Sequence, residues 1–149
     1  MADPSRRRAV AMVAAALAGL ALIAGPAASK SASPSAPALY AHVQAAAGAK
    51  VYLAQCAQCH GEHLEGGVGP ALKGPNLVRL AKKTKLAVGD MFSFLALQMP
   101  LNAPASLSHD QYVQVMAYIL QSNGYPAGAK SLTYDGAMKS SVVMTTYGK

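Results

Sequence analysis

Residues 56–60 read Cys-Ala-Gln-Cys-His, and Cys56 and Cys59 are the only cysteines in the 149-residue chain. No other stretch limits the fold so tightly, because two thiols and an imidazole within about one helical turn dictate what must lie beside them. Three chemistries use cysteines at this spacing. A thioredoxin-like redox pair follows a strand in a βαβ unit, whereas the flanks here have a helical rhythm. A zinc site needs further ligands, yet no second C-x-x-C and no H-x-x-x-H pattern follows.

The third chemistry is attachment of a c-type haem. Two thiols add across the two vinyl groups on one porphyrin edge, and the adjacent imidazole reaches the iron. Cys56 and Cys59 are then the anchors and His60 the metal ligand.

The chain begins with a targeting pattern. Arg6, Arg7 and Arg8 form a basic cluster, Ala9–Ala24 an apolar run, and Gly25-Pro26 a break before small residues. Residues 1–28 read as a signal peptide cut near Ala27 or Ala28, although no clean A-x-A marks the site. An uncleaved membrane anchor is the alternative, because the run approaches the length of a spanning helix. Ser5-Arg6-Arg7 also fits a twin-arginine signal. Either export route makes the protein periplasmic. The full chain carries a net charge of +7; losing three arginines and Asp3 with the leader lowers it to about +5. That moderate, diffuse charge suits an acidic protein surface, and without an aromatic-interleaved basic patch it gives no case for nucleic acid.

Residues 29–38 alternate Ser, Ala and Pro and read as a linker. A folded domain spans 39–128. Its first helix carries Tyr40, Val43, Ala47, Val51 and Leu53 in helical rhythm into the cysteine motif. Gly48 and Tyr52 share a face with Cys56, and a glycine inside a helix marks close approach of another backbone. Residues 61–72 are glycine-rich loop, where His63, Glu62 and Glu65 are solvated rather than a second metal site. Lys82, Lys83 and Lys85, with Arg79 and Lys73 nearby, form a solvated basic run that alternatively rims the cofactor edge and steers a partner. A helix starts near Asp90 and stops before Pro100, leaving Met99 in an extended loop.

The best-defined helix opens with a Ser108/Gln111 capping box. Tyr112, Val115, Met116 and Ile119 make its apolar stripe, widened by Val113, Ala117 and Leu120, and Asn123-Gly124 ends it. So wide a face packs on the helix carrying Gly48. The tail, 129–149, has no strong period beyond one short buried turn at 142–144.

His60 leaves one axial position of the iron open. A methionine there raises the reduction potential, a histidine lowers it, and an empty position binds ligands. Met116 is explained by helix packing, and Met138 and Met144 lie in the tail. Met99 combines a loop with a following proline, and Met91, near a helix start, is the second candidate.

Helix, Cys56-x-x-Cys59-His60-Gly61, Gly69-Pro70-Ala71-Leu72, Met99-Pro100 and a closing helix together resemble the small single-haem class I cytochromes c, over residues 40–128. Met99-Pro100, Pro104, Ser106-Leu107-Ser108, Tyr112 and Asn123-Gly124 further resemble the cytochromes associated with periplasmic quinoprotein (PQQ) alcohol dehydrogenases. The resemblance implies an all-α fold with crossing N- and C-terminal helices and a haem in a loop-rich cleft. It implies one covalent haem c on Cys56 and Cys59, ligated by His60 and Met99. It also implies that the Pro70 carbonyl accepts from the far nitrogen of His60 and that Leu72 contacts the cofactor. Ala105 departs from it, since many such cytochromes carry glycine there. The implied role is single-electron transfer between a periplasmic dehydrogenase and a terminal oxidase or another cytochrome. No acid–base or nucleophilic pair in the sequence suggests an enzyme. A permanent dehydrogenase subunit and a haem sensor or peroxidase with an open sixth position are the other readings.

Overall fold

In the computed structural model, residues 36–147 are described. The expected leader and most of the expected linker lie outside the described residues. The elements run β1 (Tyr40–Ala41), α1 (His42–Gln55), α2 (Ala57–His60), α3 (Gly74–Thr84), α4 (Val88–Gln98), α5 (His109–Ser122), β2 (Ala127–Gly128) and α6 (Tyr134–Met138). The two short strands pair in parallel, Tyr40 with Ala127 and Ala41 with Gly128; otherwise the fold is all-α. No helix among the described residues is long and apolar enough to cross a membrane.

The crossing of α1 and α5 is the frame. On α5 all seven residues of the expected stripe are buried, and the Ser108 hydroxyl accepts from Gln111 N–H while Gln111 Oε1 accepts from Ser108 N–H. On α1 the buried positions are Ala45, Gly48 and Tyr52. A Cβ built on Gly48 would lie 1.8 Å from the Gln114 carbonyl oxygen, so the two backbones meet where only glycine fits. This corrects the reading of α1 by apolar rhythm. Val43 and Leu53 are 72% and 56% exposed, because the face meeting α5 needs small residues for its close crossing. Tyr40 precedes the helix and belongs to β1.

Two further elements differ from expectation. Helix α4 begins at Val88, and Asp90 lies in its first turn, where its carboxylate accepts from Ala87 N–H at 2.9 Å. The basic stretch is itself a helix, α3, opened by Gly74-Pro75 and closed by Lys85 in the left-handed conformation. Leu77 and Ala81, four apart, are its buried side.

Beyond residue 128 the chain stays on the same core. Val88 N–H donates to Val142 O and Met144 N–H to Leu86 O, so residues 142–144 are extended along the start of α4 rather than turned. Met144 and Ala137 are buried. Ser93 Oγ donates to Gly89 O at 2.7 Å, and Met138 packs beside it against the core.

Candidate cofactor cleft

The cysteine motif is shaped by the end of α1. Cys56 breaks the helix (φ −126°, ψ −32°), and its carbonyl accepts from both Cys59 N–H and His60 N–H, winding the motif into the single turn of α2. Gly66 N–H donates to His60 O and Gly69 N–H to Cys59 O, so the glycine-rich loop folds back over the motif. A Cβ on Gly69 would sit 2.8 Å from His60 Cε1; the loop backbone lies flat on the imidazole because that residue has no side chain.

His60 Nδ1 lies 2.8 Å from the Pro70 carbonyl. A carbonyl only accepts, so the contact places the ring proton on Nδ1 and leaves the Nε2 lone pair free for a metal. Burial pushes the Cys56 thiol up to about 11, with Cys59 adding to the effect; at neutral pH it stays protonated. No disulfide joins Cys56 to Cys59.

A cleft of about 1030 Å3 opens beside this motif. Cys56, Cys59, His60, Pro70, Leu72 and Met99 all line it. Met99 is extended (φ −115°, ψ 153°) directly after α4. Met91 lines the cleft as well, from within α4, whereas Met116, Met138 and Met144 do not. Both sulfur candidates retained by sequence reasoning thus share one chamber. None of Lys73, Arg79, Lys82, Lys83 and Lys85 lines it.

Much of the apolar wall escaped sequence reasoning. Leu77, Leu80 and Leu86 contribute from α3 and its exit, Phe94 from α4, and Val115 and Ile119 from α5. The available signal was Leu77, Leu80 and Ala81 at helical spacing behind a Gly-Pro start. No group of three or more His, Cys, Asp or Glu gathers among the described residues. Hydrogen bonds from the Glu65 and His63 amides instead hold the Glu65 carboxyl below the usual range.

The donor set and the lining fit a haem. Paired thiols and an imidazole with a free Nε2 line the cleft together with thioether sulfurs, and the remaining wall is mainly apolar and large enough for a porphyrin. An all-α frame around such a cleft defines a c-type cytochrome. The chain belongs to the family described as cytochrome c oxidase, cbb3-type, subunit III, whose model matches residues 43–119, more than half of its length. Among solved structures it is similar to the sulfane dehydrogenase SoxCD from Paracoccus pantotrophus, at 25% identity and a TM-score of 0.50 over 67% of this chain. The match spans about half of that longer chain, 52%. No curated protein matches by sequence. The protein is therefore a class I c-type cytochrome: haem c is its cofactor and electron transfer its work.

Proposed function

We propose that this cytochrome is an exported, periplasmic carrier of single electrons between a dehydrogenase and a terminal oxidase or another cytochrome. One haem c is held covalently by Cys56 and Cys59 and ligated by His60 and Met99. The observation that supports it most is the placing of these four residues around one apolar cleft, with the far nitrogen of His60 committed to Pro70. When bound, the haem supplies a one-electron iron couple. The chain orients and encloses it. The Pro70 carbonyl fixes the ring of His60 and makes it a better donor. The apolar walls from α3, α4 and α5 exclude water, and an extended backbone brings Met99 to the cleft.

Substitution at the two methionines tests the reading. In the oxidised holoprotein, Met99→Ala abolishes the sulfur-to-iron absorption band, lowers the reduction potential and opens the reduced iron to carbon monoxide. Met91→Ala leaves all three nearly unchanged. The reverse pattern would exchange the two ligands, and carbon monoxide binding to the unaltered protein at neutral pH, without a sulfur band, would sink the six-coordinate assignment.

A second reading, a permanent cytochrome part of a dehydrogenase, draws support from the likeness to a stretch of the sulfane dehydrogenase chain. Co-purification separates the two. A shuttle leaves its dehydrogenase during a salt wash, whereas a subunit stays through it.

A further inference from the structure

We propose that Tyr112 and Asn123, at opposite ends of α5, are positioning residues that hold the two loops of the cleft to one helix. The inference rests on the reading of His60 and Met99 as iron ligands.

Tyr112 is buried, and its hydroxyl serves the Met99 loop. Oη donates to the Met99 carbonyl at 2.7 Å and accepts from Leu107 N–H at 3.3 Å. Met99 begins the connection from α4 to α5 and Leu107 lies at its end, so one oxygen ties both ends of that loop to the first turn of α5. A phenylalanine would fill the same core volume; the oxygen is there for the loop.

Asn123 is a buried amide that spends its side chain on the opposite loop. Nδ2 donates to Leu72 O at 3.0 Å and to Ile119 O at 2.9 Å, while Oδ1 accepts from Gly74 N–H at 3.2 Å. Leu72 lies two residues beyond Pro70, whose carbonyl receives the His60 proton. Burying an amide costs free energy unless its bonds are made, and two of these three go to the segment that orients His60.

Between these two residues, Val115 and Ile119 of the same helix line the cleft. Eleven residue steps along the helix separate Tyr112 from its C-cap Asn123 by about 16 Å along the axis, a length that intact backbone bonds keep nearly constant. Helix α5 therefore acts as a spacer. The separation of the His60 loop from the Met99 loop follows the helix and not the loops' own conformations.

The test uses the holoprotein and two readouts, imidazole affinity of the oxidised iron and solvent exchange of the His60 Nδ1 proton by NMR. Tyr112→Phe raises imidazole affinity roughly fivefold, the worth of one hydrogen bond, and leaves the His60 exchange rate unchanged. Asn123→Ala speeds that exchange roughly fivefold and leaves imidazole affinity unchanged. Asn123→Leu, which keeps the volume and buries no charge, serves in its place if the alanine variant does not take up haem. Failure of either variant to move its own readout overturns the proposal, as does an equal shift of both readouts in each variant, which would mark a general loss of packing. A starting protein without the sulfur-to-iron band would instead fail the Met99 assignment, and the Tyr112 half with it.

Discussion

Ala105 sits at φ +56°, a conformation in which an L side chain crowds the following carbonyl oxygen. The left-handed state costs a non-glycine residue about 1–2 kcal/mol. The residue is exposed, so its methyl group returns little by packing. It is also a departure from the resemblance, which implies glycine at this position in many such cytochromes. Ala105→Gly removes the crowding but gives the unfolded chain extra freedom worth about 0.5–1 kcal/mol, so the net gain is about 0.5–1 kcal/mol. Thermal unfolding of the holoprotein should rise by about 3 °C, with no change in the sulfur-to-iron band; a fall in midpoint would show that the turn needs its methyl group. That the departure from the resemblance coincides with a strained backbone is information the sequence carried at a single residue. Leu64, at φ 62° and buried, is the opposite case: its side chain fills the core, and nothing in the local sequence marks its backbone as left-handed.

Between elements, the deciding contact is the crossing of α1 and α5 at Gly48. Helix propensity alone makes Gly48→Ala stabilising by about 1 kcal/mol. The added Cβ would fall 1.8 Å from a backbone carbonyl that cannot rotate aside, and overpacking of this kind costs about 3 kcal/mol. The clash wins, for a net loss of about 2 kcal/mol, measured as a lower urea midpoint; a stabilised variant would mean that the helices separate freely. This crossing was legible because glycine in a helix has few reasons to be there, and α5 was legible because seven apolar positions and a capping box agree. The extended position of Met99 after α4 was legible because proline disfavours a helical backbone at the preceding residue. Helix α3 was not, since its polar residues outnumber Leu77 and Ala81, which anchor it. Nor were the paired strands, whose two residues each offer no period to read, or Asn123 as a buried hub, which the sequence marks only as a helix stop. Long-range hydrogen bonds, such as Gln44 Nε2 to Leu132 O across 88 positions, have no local signature at all.

At the scale of the whole molecule, the two ends of the described chain close on each other through tyrosines. Tyr40 Oη donates to Tyr125 O at 2.7 Å, Tyr125 Oη donates to Val143 O at 3.1 Å and accepts from Thr145 N–H, and the Tyr125 and Tyr147 rings meet edge to face. Beside the cofactor motif, Tyr52 Oη donates to Gly61 O at 2.6 Å. Burial raises the pKa of Tyr40, Tyr52 and Tyr125 above the ordinary tyrosine value, and for Tyr52 the neighbouring Cys56 adds to it while that thiol is free. The folded state thus keeps protons that the unfolded chain releases near pH 10. A raised folded-state pKa contributes stability that is fully present below the unfolded value and is lost as pH climbs past it. The urea midpoint of the holoprotein should therefore be level from pH 7 to about pH 9 and then fall, each retained proton contributing up to about 1.4 kcal/mol per pH unit. Tyr125→Phe lowers stability at pH 7 through its two lost hydrogen bonds yet makes the alkaline fall shallower, because one of the three linked protons is gone. A flat profile through pH 11, or an unchanged slope in the variant, would remove the tyrosine closure as the source of the molecule's alkaline limit.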